Sequence, residues 1–517
     1  MRSASDPLPD DVTALKARLL EQTAKIESLS QQNSQLQARV LTLQEQLNLA
    51  LAKRYAASSE RISADQIRLF DEAEAEVESV AEPEPVTVGS HTRKARGREP
   101  LPDTLPRVDI VHELGEQERR CPHDGQQLAE IGEEVCEQLD IVPATIQVLR
   151  HVRKKYACSC GQCIKTAPLP AQPIPKSQAS PGLLAHISVS KYQDGLPLYR
   201  QETILQRIGV DIPRTTLANW MIQVGLLIQP LINLLRDRLL AGDIVQMDET
   251  TVQVLKEAGR APQSKSYLWV QRGGPPDRPV ILYDYDPSRG QAVPTRLLEG
   301  FAGYLQSDGY EGYNAAVATH KLTHVGCWAH ARRKFDEAVK AQGKKKRAGR
   351  AWRGLSLIQK LYRVERDARD LSAEERHAAR QQHARPVLDE LRAWLDEALP
   401  QVPPTSATGK ALYYLNEQWP KLIRYLDDGR LEIDNNRTEN AIRPFVVGRK
   451  NWLFSDSVRG VKASANIYSL IETAKANGLE PYAYLRHVFT ELPRADNVEE
   501  IEALLPGIVN AEQLRAA

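Results

Sequence analysis

At 517 residues and a formal net charge of +1, the chain is too long for a single core, and its overall charge names no partner. No apolar run approaches the roughly 20 residues that span a bilayer, and the N-terminus is polar. A membrane protein or one with a secretory leader is therefore not expected, and the cytoplasm is. Charge is uneven locally: an acidic stretch from Asp71 to Glu84 precedes the basic "RKARGR" of Arg93 to Arg98, and "KKKR" spans Lys344 to Arg347. Several basic runs in a neutral chain fit a polyanionic ligand. Five of the six cysteines lie between Cys121 and Cys163, which in a reducing compartment favours metal over disulfide.

In chain order, Val12, Leu15, Leu19, Gln22, Ile26 and Leu29 begin an alternation of three- and four-residue steps. Asn33, Leu36, Val40, Leu43, Leu47 and Ala50 continue it. Branched residues at one seam position, Leu at the other and one Asn predict a parallel two-stranded coiled coil, hence a homodimer or higher oligomer. A Pro-, Glu-, Ser- and Gly-rich linker follows. Within it Arg96, Gly97 and Arg98 are similar to an AT-hook core, which lays arginines into a narrow minor groove. "CPHDG" at Cys121 and "YACSCGQC" at Tyr156 to Cys163 have the layout of a small zinc ribbon. Cys121, Cys158 and either Cys160 or Cys163 supply three ligands, while Asp124 stands where a fourth cysteine would complete the set and His123 adjoins it. Next, "TILQRIGVDIPRTTLANWM" reads as a helix, a turn at Gly209 and a second helix from Pro213, the outline of a helix-turn-helix or of an ordinary helical pair.

From Asp243 the texture turns to strands: "DIVQMDETTVQV", "SYLWVQRG" and "RPVILYDYD". A helix and further strands alternating with helices match an RNase H-like α/β fold. The period of two puts Gln246, Asp248 and Thr250 on one face and Glu249 on the other, so one acid of the pair looks into a given site. Asp308 ends its strand before Gly309, where a carboxylate is well placed to hold an ion. "NNRTENAIR" predicts a short helix that stops before Pro444. Asn436 and Glu439 are spaced as a capping box. Arg443 lies one turn beyond Glu439, with Arg449 and Lys450 close behind, a cationic surround that fits phosphate.

Taken together, these stretches resemble the TnpC-type DDE transposase of the bacterial insertion sequence 66 family. The likeness runs through "SSERISADQIRLFDEAEAE", "GREPLPDTLPR", "CPHDGQQLAEIGEEV", "VQMDETTVQV", "SDGYEGYNA", "CWAHARRKF", "DNNRTENAIRPFVVGRKNWLF" and "ANIYSLIETAKANGLEPYAYL", in order along nearly the whole chain. Asp124 in place of a ribbon cysteine is the departure. The resemblance implies an RNase H-like core whose triad falls on Asp248, Asp308 and Glu439, with a helical insertion before the last acid. Cys327 and His330 are similar to a C-x-x-H pairing found after the second acid in several transposase groups, which implies a supporting role. Arg332 and Arg333 are candidate DNA contacts.

The fold expected is thus multidomain α/β. It comprises a coiled coil over 1–70, a linker over 71–108, a ribbon over 109–170 and a helical DNA-binding segment over 171–240. The catalytic domain covers 241–460 with its insertion at about 345–430, and a helical packing domain covers 461–517. The expected activity is binding of terminal inverted repeats and Mg²⁺- or Mn²⁺-dependent cleavage and strand transfer on double-stranded DNA, because hard cations suit a carboxylate triad. Zn²⁺ belongs to the ribbon. Small accessory proteins of the same element are expected partners, and a nucleoid-associated bacterial location follows. The alternative is a silent coiled-coil DNA-binding regulator derived from such an enzyme.

Overall fold

The computed structural model describes residues 11–55, 146–157, 164–342 and 349–515. They belong to two units, one of Glu76–Ala167 and a larger one combining Met1–Ala75 with Pro168–Ala517. In the smaller unit, β1 (Lys155–Ala157) and β2 (Ile164–Thr166) pair antiparallel, Tyr156 facing Lys165. Arg96, Arg98 and the ribbon positions Cys121, Asp124, Cys158, Cys160 and Cys163 lie outside the described residues.

The larger unit starts with α1 (Val12–Tyr55), an unbroken helix. Its heptad residues Leu19, Ile26, Val40, Leu43 and Leu47 are all more than half exposed, so the expected apolar seam stands open. A helical group follows: α2 (Pro181–Tyr192), α3 (Leu198–Arg207), α4 (Arg214–Leu227) and α5 (Gln229–Leu240). Gly209 makes the turn between α3 and α4 with φ +83°, a left-handed conformation that glycine adopts at no steric cost. The apolar face of α4, with Leu217, Trp220 and Val224, is buried, while Arg214 and Thr215 at its start are exposed. Among the described residues no single helix is long and apolar enough to cross a membrane.

The chain is mixed α/β, centred on one mixed sheet. Its strands are β3 (Ile244–Lys256), β4 (Lys265–Gly273), β5 (Val280–Asp286), β6 (Tyr304–Gln306) and β7 (Thr323–Val325), with α6 (Ala292–Leu297) and α7 (Asn314–His320) as crossovers. The order is β5-β4-β3-β6-β7; the first three run antiparallel, and β3, β6 and β7 run parallel. Short links suffice for the antiparallel hairpins, whereas the parallel strands need the helical crossovers.

After β7 come α8 (Trp328–Ala341), α9 (Arg350–Asp367), α10 (Ala373–Ala379), α11 (Arg385–Ala398) and α12 (Ala407–Leu422), which bury a second core around Phe335, Ile358, Leu391 and Trp394. Arg380 sits at its base, fully buried, and every one of its N–H donors is used. It grips Glu365 at 2.8 and 2.7 Å and the carbonyls of Tyr425, Asp428 and Leu431 at 2.8, 2.9 and 2.7 Å. Those carbonyls lead straight into the segment that returns to the sheet.

The return begins with α13 (Asn436–Trp452), and here the structure corrects the sequence. The helix does not stop before Pro444 but runs through it. Ala441, Ile442, Phe445 and Gly448 form one buried stripe on both sides of the proline. Burying Ile and Phe at about 1.5–3 kcal/mol each outweighs the roughly 3 kcal/mol cost of an internal proline. The Tyr283 hydroxyl donates to the Ala441 carbonyl in the disturbed turn.

The chain ends with β8 (Ser455–Ser457), α14 (Val458–Ala476), α15 (Pro481–Glu491), α16 (Val498–Ala503) and α17 (Ala511–Arg515). The expectation for this region is packing, and α14 gives it a specific form. Ser469 and Thr473 take hydrogen bonds from the backbone N–H groups of Tyr283 and Ile281 on edge strand β5, at 2.8 and 3.0 Å. Four residues of helix and two of strand each span about 6–7 Å, so the hydroxyls match the ladder. An exposed sheet edge is thereby closed.

The last turns of α1 touch the second core. The Glu45 carboxylate accepts the Ala407 N–H at 2.7 Å, the first of α12, and Asn48 Nδ2 donates to the Ala341 carbonyl at 2.8 Å, the last of α8. Both are helix-end groups without an intrahelical partner, and each meets the side chain its polarity favours.

Candidate active site

A repeated Gln-x-Asp, at 246–248 and 306–308, builds the sheet side of the site. Gln246 of β3 is paired with Gln306 of β6 in parallel register, and Gln246 Nε2 donates to Gln306 Oε1 at 2.8 Å, both side chains being buried. Two residues further along come Asp248, still on β3, and Asp308, beyond the last paired residue of β6. Asp308 lies past the end of β6, where its Oδ1 accepts the Tyr310 N–H at 2.9 Å and fixes the loop. Glu249 points the other way, as alternation requires, onto Arg289 Nε and the Tyr313 hydroxyl, each at 2.7 Å.

The helix side is tied to the same glutamines. Thr438 Oγ1 donates to Gln246 Oε1 at 3.1 Å, Asn435 Nδ2 to the Met247 carbonyl at 2.9 Å, and Gln306 Nε2 to the Glu432 carbonyl at 2.7 Å. Tyr362 secures the approach by donating to buried Asp434 at 2.9 Å. These bonds seat the first turn of α13, and Glu439 with it, over β3. The capping box is not formed: α13 has no side-chain cap at Asn435, Asn436 Nδ2 binds Asp434 at 2.9 Å, and Glu439 Oε1 is buried without a hydrogen-bond partner.

The acids feel one another. Burial pushes the Asp248 carboxyl well above the carboxylate range, and the charges of Glu249, Glu439 and Asp308 push it further. Glu439 is also raised, first by burial and then by Asp434 and Asp308, against the cations Arg333 and Arg443. Ionised carboxylates gathered in a half-buried site repel unless a cation joins them. Carboxylates offer oxygen ligands, the donor type of Mg²⁺ and Mn²⁺, but among the described residues these three acids are not a group whose donor atoms lie mutually within 4.8 Å.

The remaining candidates spread out. Arg333 stands 3.8 Å from Glu439 Oε2 and is 51% exposed. Arg332 lies over the Tyr362 ring at 5.2 Å. Arg449 is engaged by β3 through Thr251 Oγ1 at 2.9 Å, and Lys450 is exposed. Cys327 is buried and its Sγ accepts the Asn435 N–H at 3.3 Å; burial, then Asp434 and Glu439, hold its thiol protonated. His330 Nδ1 is 3.8 Å from Glu439 Oε1, and burial, then Arg333, lower its basicity.

Sequence reasoning misses the positioning residues Gln246, Gln306, Asn435 and Thr438. The shared Gln-x-Asp spacing is the one pattern that marks the two glutamines, since a polar residue repeated two before each acid on a buried strand needs a partner.

Comparison with known proteins finds likeness to one family along most of the chain. A family model described as "Transposase IS66 family" matches residues 176–463, and "IS66 C-terminal element" matches 469–506. "Zinc-finger binding domain of transposase IS66" matches 118–161, and "Transposase C of IS166 homeodomain" matches 42–110. Three relatives come from Sinorhizobium fredii. Uncharacterized protein y4qI is 33% identical over 96% of this chain and 97% of its own length. Uncharacterized protein y4jD is 36% identical over 81% and 83%. Uncharacterized protein y4hP is 31% identical over 93% and 87%. With the strand acids, the helix acid and the C-terminal element all inside the matched regions, the chain belongs to the IS66 transposase family.

Proposed function

We propose that this chain is a DDE transposase that cleaves and joins DNA, with Asp248, Asp308 and Glu439 as its catalytic triad on an RNase H-like core. The observation that carries the proposal is the tie through Gln246, which joins the strand bearing Asp248 to the strand leading to Asp308 and to the first turn of α13, which bears Glu439. Mg²⁺ or Mn²⁺ held by them would supply charge stabilisation for in-line displacement at phosphorus. In the first step water adds to the phosphorus at the transposon end, its proton passes to solvent, and the P–O3′ bond breaks to leave a 3′-OH. In the second, that hydroxyl attacks a target phosphodiester, forming one P–O bond and breaking another. Arg333, exposed beside Glu439, and Arg443, whose charge Glu439 feels, would hold phosphate oxygens. Cys121, Asp124, Cys158, Cys160 and Cys163 would serve a zinc ribbon, and the open seam of α1 a two-stranded coil.

The test is cleavage of a labelled terminal repeat with Mg²⁺ or Mn²⁺. Asp248→Asn should bind the repeat normally yet neither nick nor join it. Undiminished cleavage by that variant would reject the triad. Repeat binding by the unaltered protein without any cleavage would instead identify a silent regulator.

A further inference from the structure

Glu439 has a second set of neighbours. Cys327 Sγ, a His330 ring nitrogen and a Glu439 oxygen lie within 4.8 Å of one another. His330 Nδ1 and Glu439 Oε1 face each other across 3.8 Å, both buried and both without a hydrogen-bond partner. Asn435 Oδ1, on the residue whose N–H meets Cys327 Sγ, is orphaned too. Buried polar atoms in a native fold are nearly always satisfied, so orphans gathered at one point indicate a missing partner. The backbone amides of Asn435 and His330 are both directed at Cys327 Sγ, the pattern of N–H donors that steadies a metal-bound thiolate.

Chemistry selects the ion. A tetrahedral Zn²⁺ with bonds of about 2.0–2.3 Å keeps its nitrogen and oxygen donors roughly 3.3 Å apart, so a contraction of about half an ångström closes the gap between His330 and Glu439. Sulfur, imidazole and one carboxylate suit Zn²⁺ and leave a fourth position open, whereas Mg²⁺ avoids thiolate. We propose that Cys327, His330 and Glu439 form a Zn²⁺ site that shares Glu439 with the proposed oxygen-only set of Asp248, Asp308 and Glu439 and differs from it in its sulfur and nitrogen ligands. Zn²⁺ binding releases the Cys327 thiol proton to solvent and holds Glu439 away from the two aspartates. The inhibitory consequence rests on the triad proposed above; the metal site itself does not.

The full-length protein, stripped of metal, is titrated with Co²⁺ as a spectroscopic probe. The thiolate-to-cobalt absorption due to Cys327 is the difference between the unaltered chain and Cys327→Ser, which cancels the cysteines between 121 and 163. The expected difference is about one equivalent of thiolate-bound Co²⁺, lost also in His330→Ala, retained in Asp248→Asn and resistant to excess Mg²⁺. Identical spectra for the unaltered chain and a Cys327→Ser variant of unchanged circular dichroism would overturn the site. If that variant does not fold, the absence of any contribution sensitive to His330→Ala overturns it equally. In cleavage assays the Zn²⁺ concentration that halves the Mg²⁺-supported rate should rise at least about tenfold in Cys327→Ser. Unaltered Zn²⁺ sensitivity there, with the cobalt difference present, would remove the inhibitory role alone. Absence of cleavage by the unaltered protein would count against the triad and leave the spectroscopic result standing.

Discussion

Asp248 and Asp308 reach the site along adjacent strands, whereas Glu439 arrives on a helix after the chain has built a separate helical core. Asp248 is held within a ladder of backbone bonds whose register leaves little freedom, and Asp308 just beyond that ladder is fixed by the Tyr310 N–H. The helix half is held by side chains: Thr438 and Asn435 onto β3, Glu432 onto Gln306, and Arg380 closing the base of the detour. The proposed constellation is therefore held by backbone pairing on one side and by side-chain bonds on the other.

The largest test of that contrast removes a strand acid. Asp308→Asn should lower metal-dependent cleavage at least about a thousandfold, some 4 kcal/mol of barrier, while terminal-repeat binding persists. Residual rates within tenfold of the unaltered protein would show that the strand half does not do the chemistry. Arg380→Met leaves Glu365 charged and unpaired in the second core. It should cost about 3–5 kcal/mol of stability in denaturant titrations, with the loss concentrated in the helical detour by hydrogen exchange. Gln246→Leu strips a partner from both Gln306 and Thr438. Expect about 2–3 kcal/mol of destabilisation together with a cleavage loss of roughly ten- to a hundredfold. If stability falls and activity does not, the glutamine is merely structural.

Thr438→Val should act on the helix half alone, at about 1 kcal/mol. Its effect should fail to add to that of Gln246→Leu in a double-mutant cycle, because both remove the same bond. The smallest effect concerns pH. Because the folded state raises the Asp248 pKa, it binds that proton more tightly than the unfolded chain does. Metal-free stability therefore falls as pH rises through the window from the ordinary carboxylate value to the raised one. At neutral pH Asp248→Asn should melt about 1–3 °C higher than the unaltered protein, a gain that Mg²⁺ reverses and acid abolishes. Cleavage should run the opposite way, declining on acidification above the ordinary carboxylate range as protons displace the cation from Asp248 and Glu439.

The strand half was readable from the sequence, and the reason is the same ladder. Period-two alternation set Asp248 apart from Glu249, while the strand expected to end at Asp308 stops at Gln306 and leaves that acid in the loop beyond. The helix half was less so. Its tethers join residues almost two hundred positions apart, and no local pattern encodes Thr438 meeting Gln246. Pro444 misled for a related cause: its local rule holds, but the buried stripe through Phe445 outweighs it. The capping box at Asn436 was a sound local expectation displaced by Asp434, whose grip on Asn436 belongs to the tertiary structure.

The contact between α1 and the second core sets how a pair of copies would be arranged. With Val40 and Leu47 at one seam position and Leu43 at the other, Glu45 and Asn48 fall on the outer flank of the helix. Partners zipped along that seam would each carry the second core on the side turned from the other. The two second cores would then stand on opposite banks of a spacer roughly 20 Å wide, the breadth of two helices.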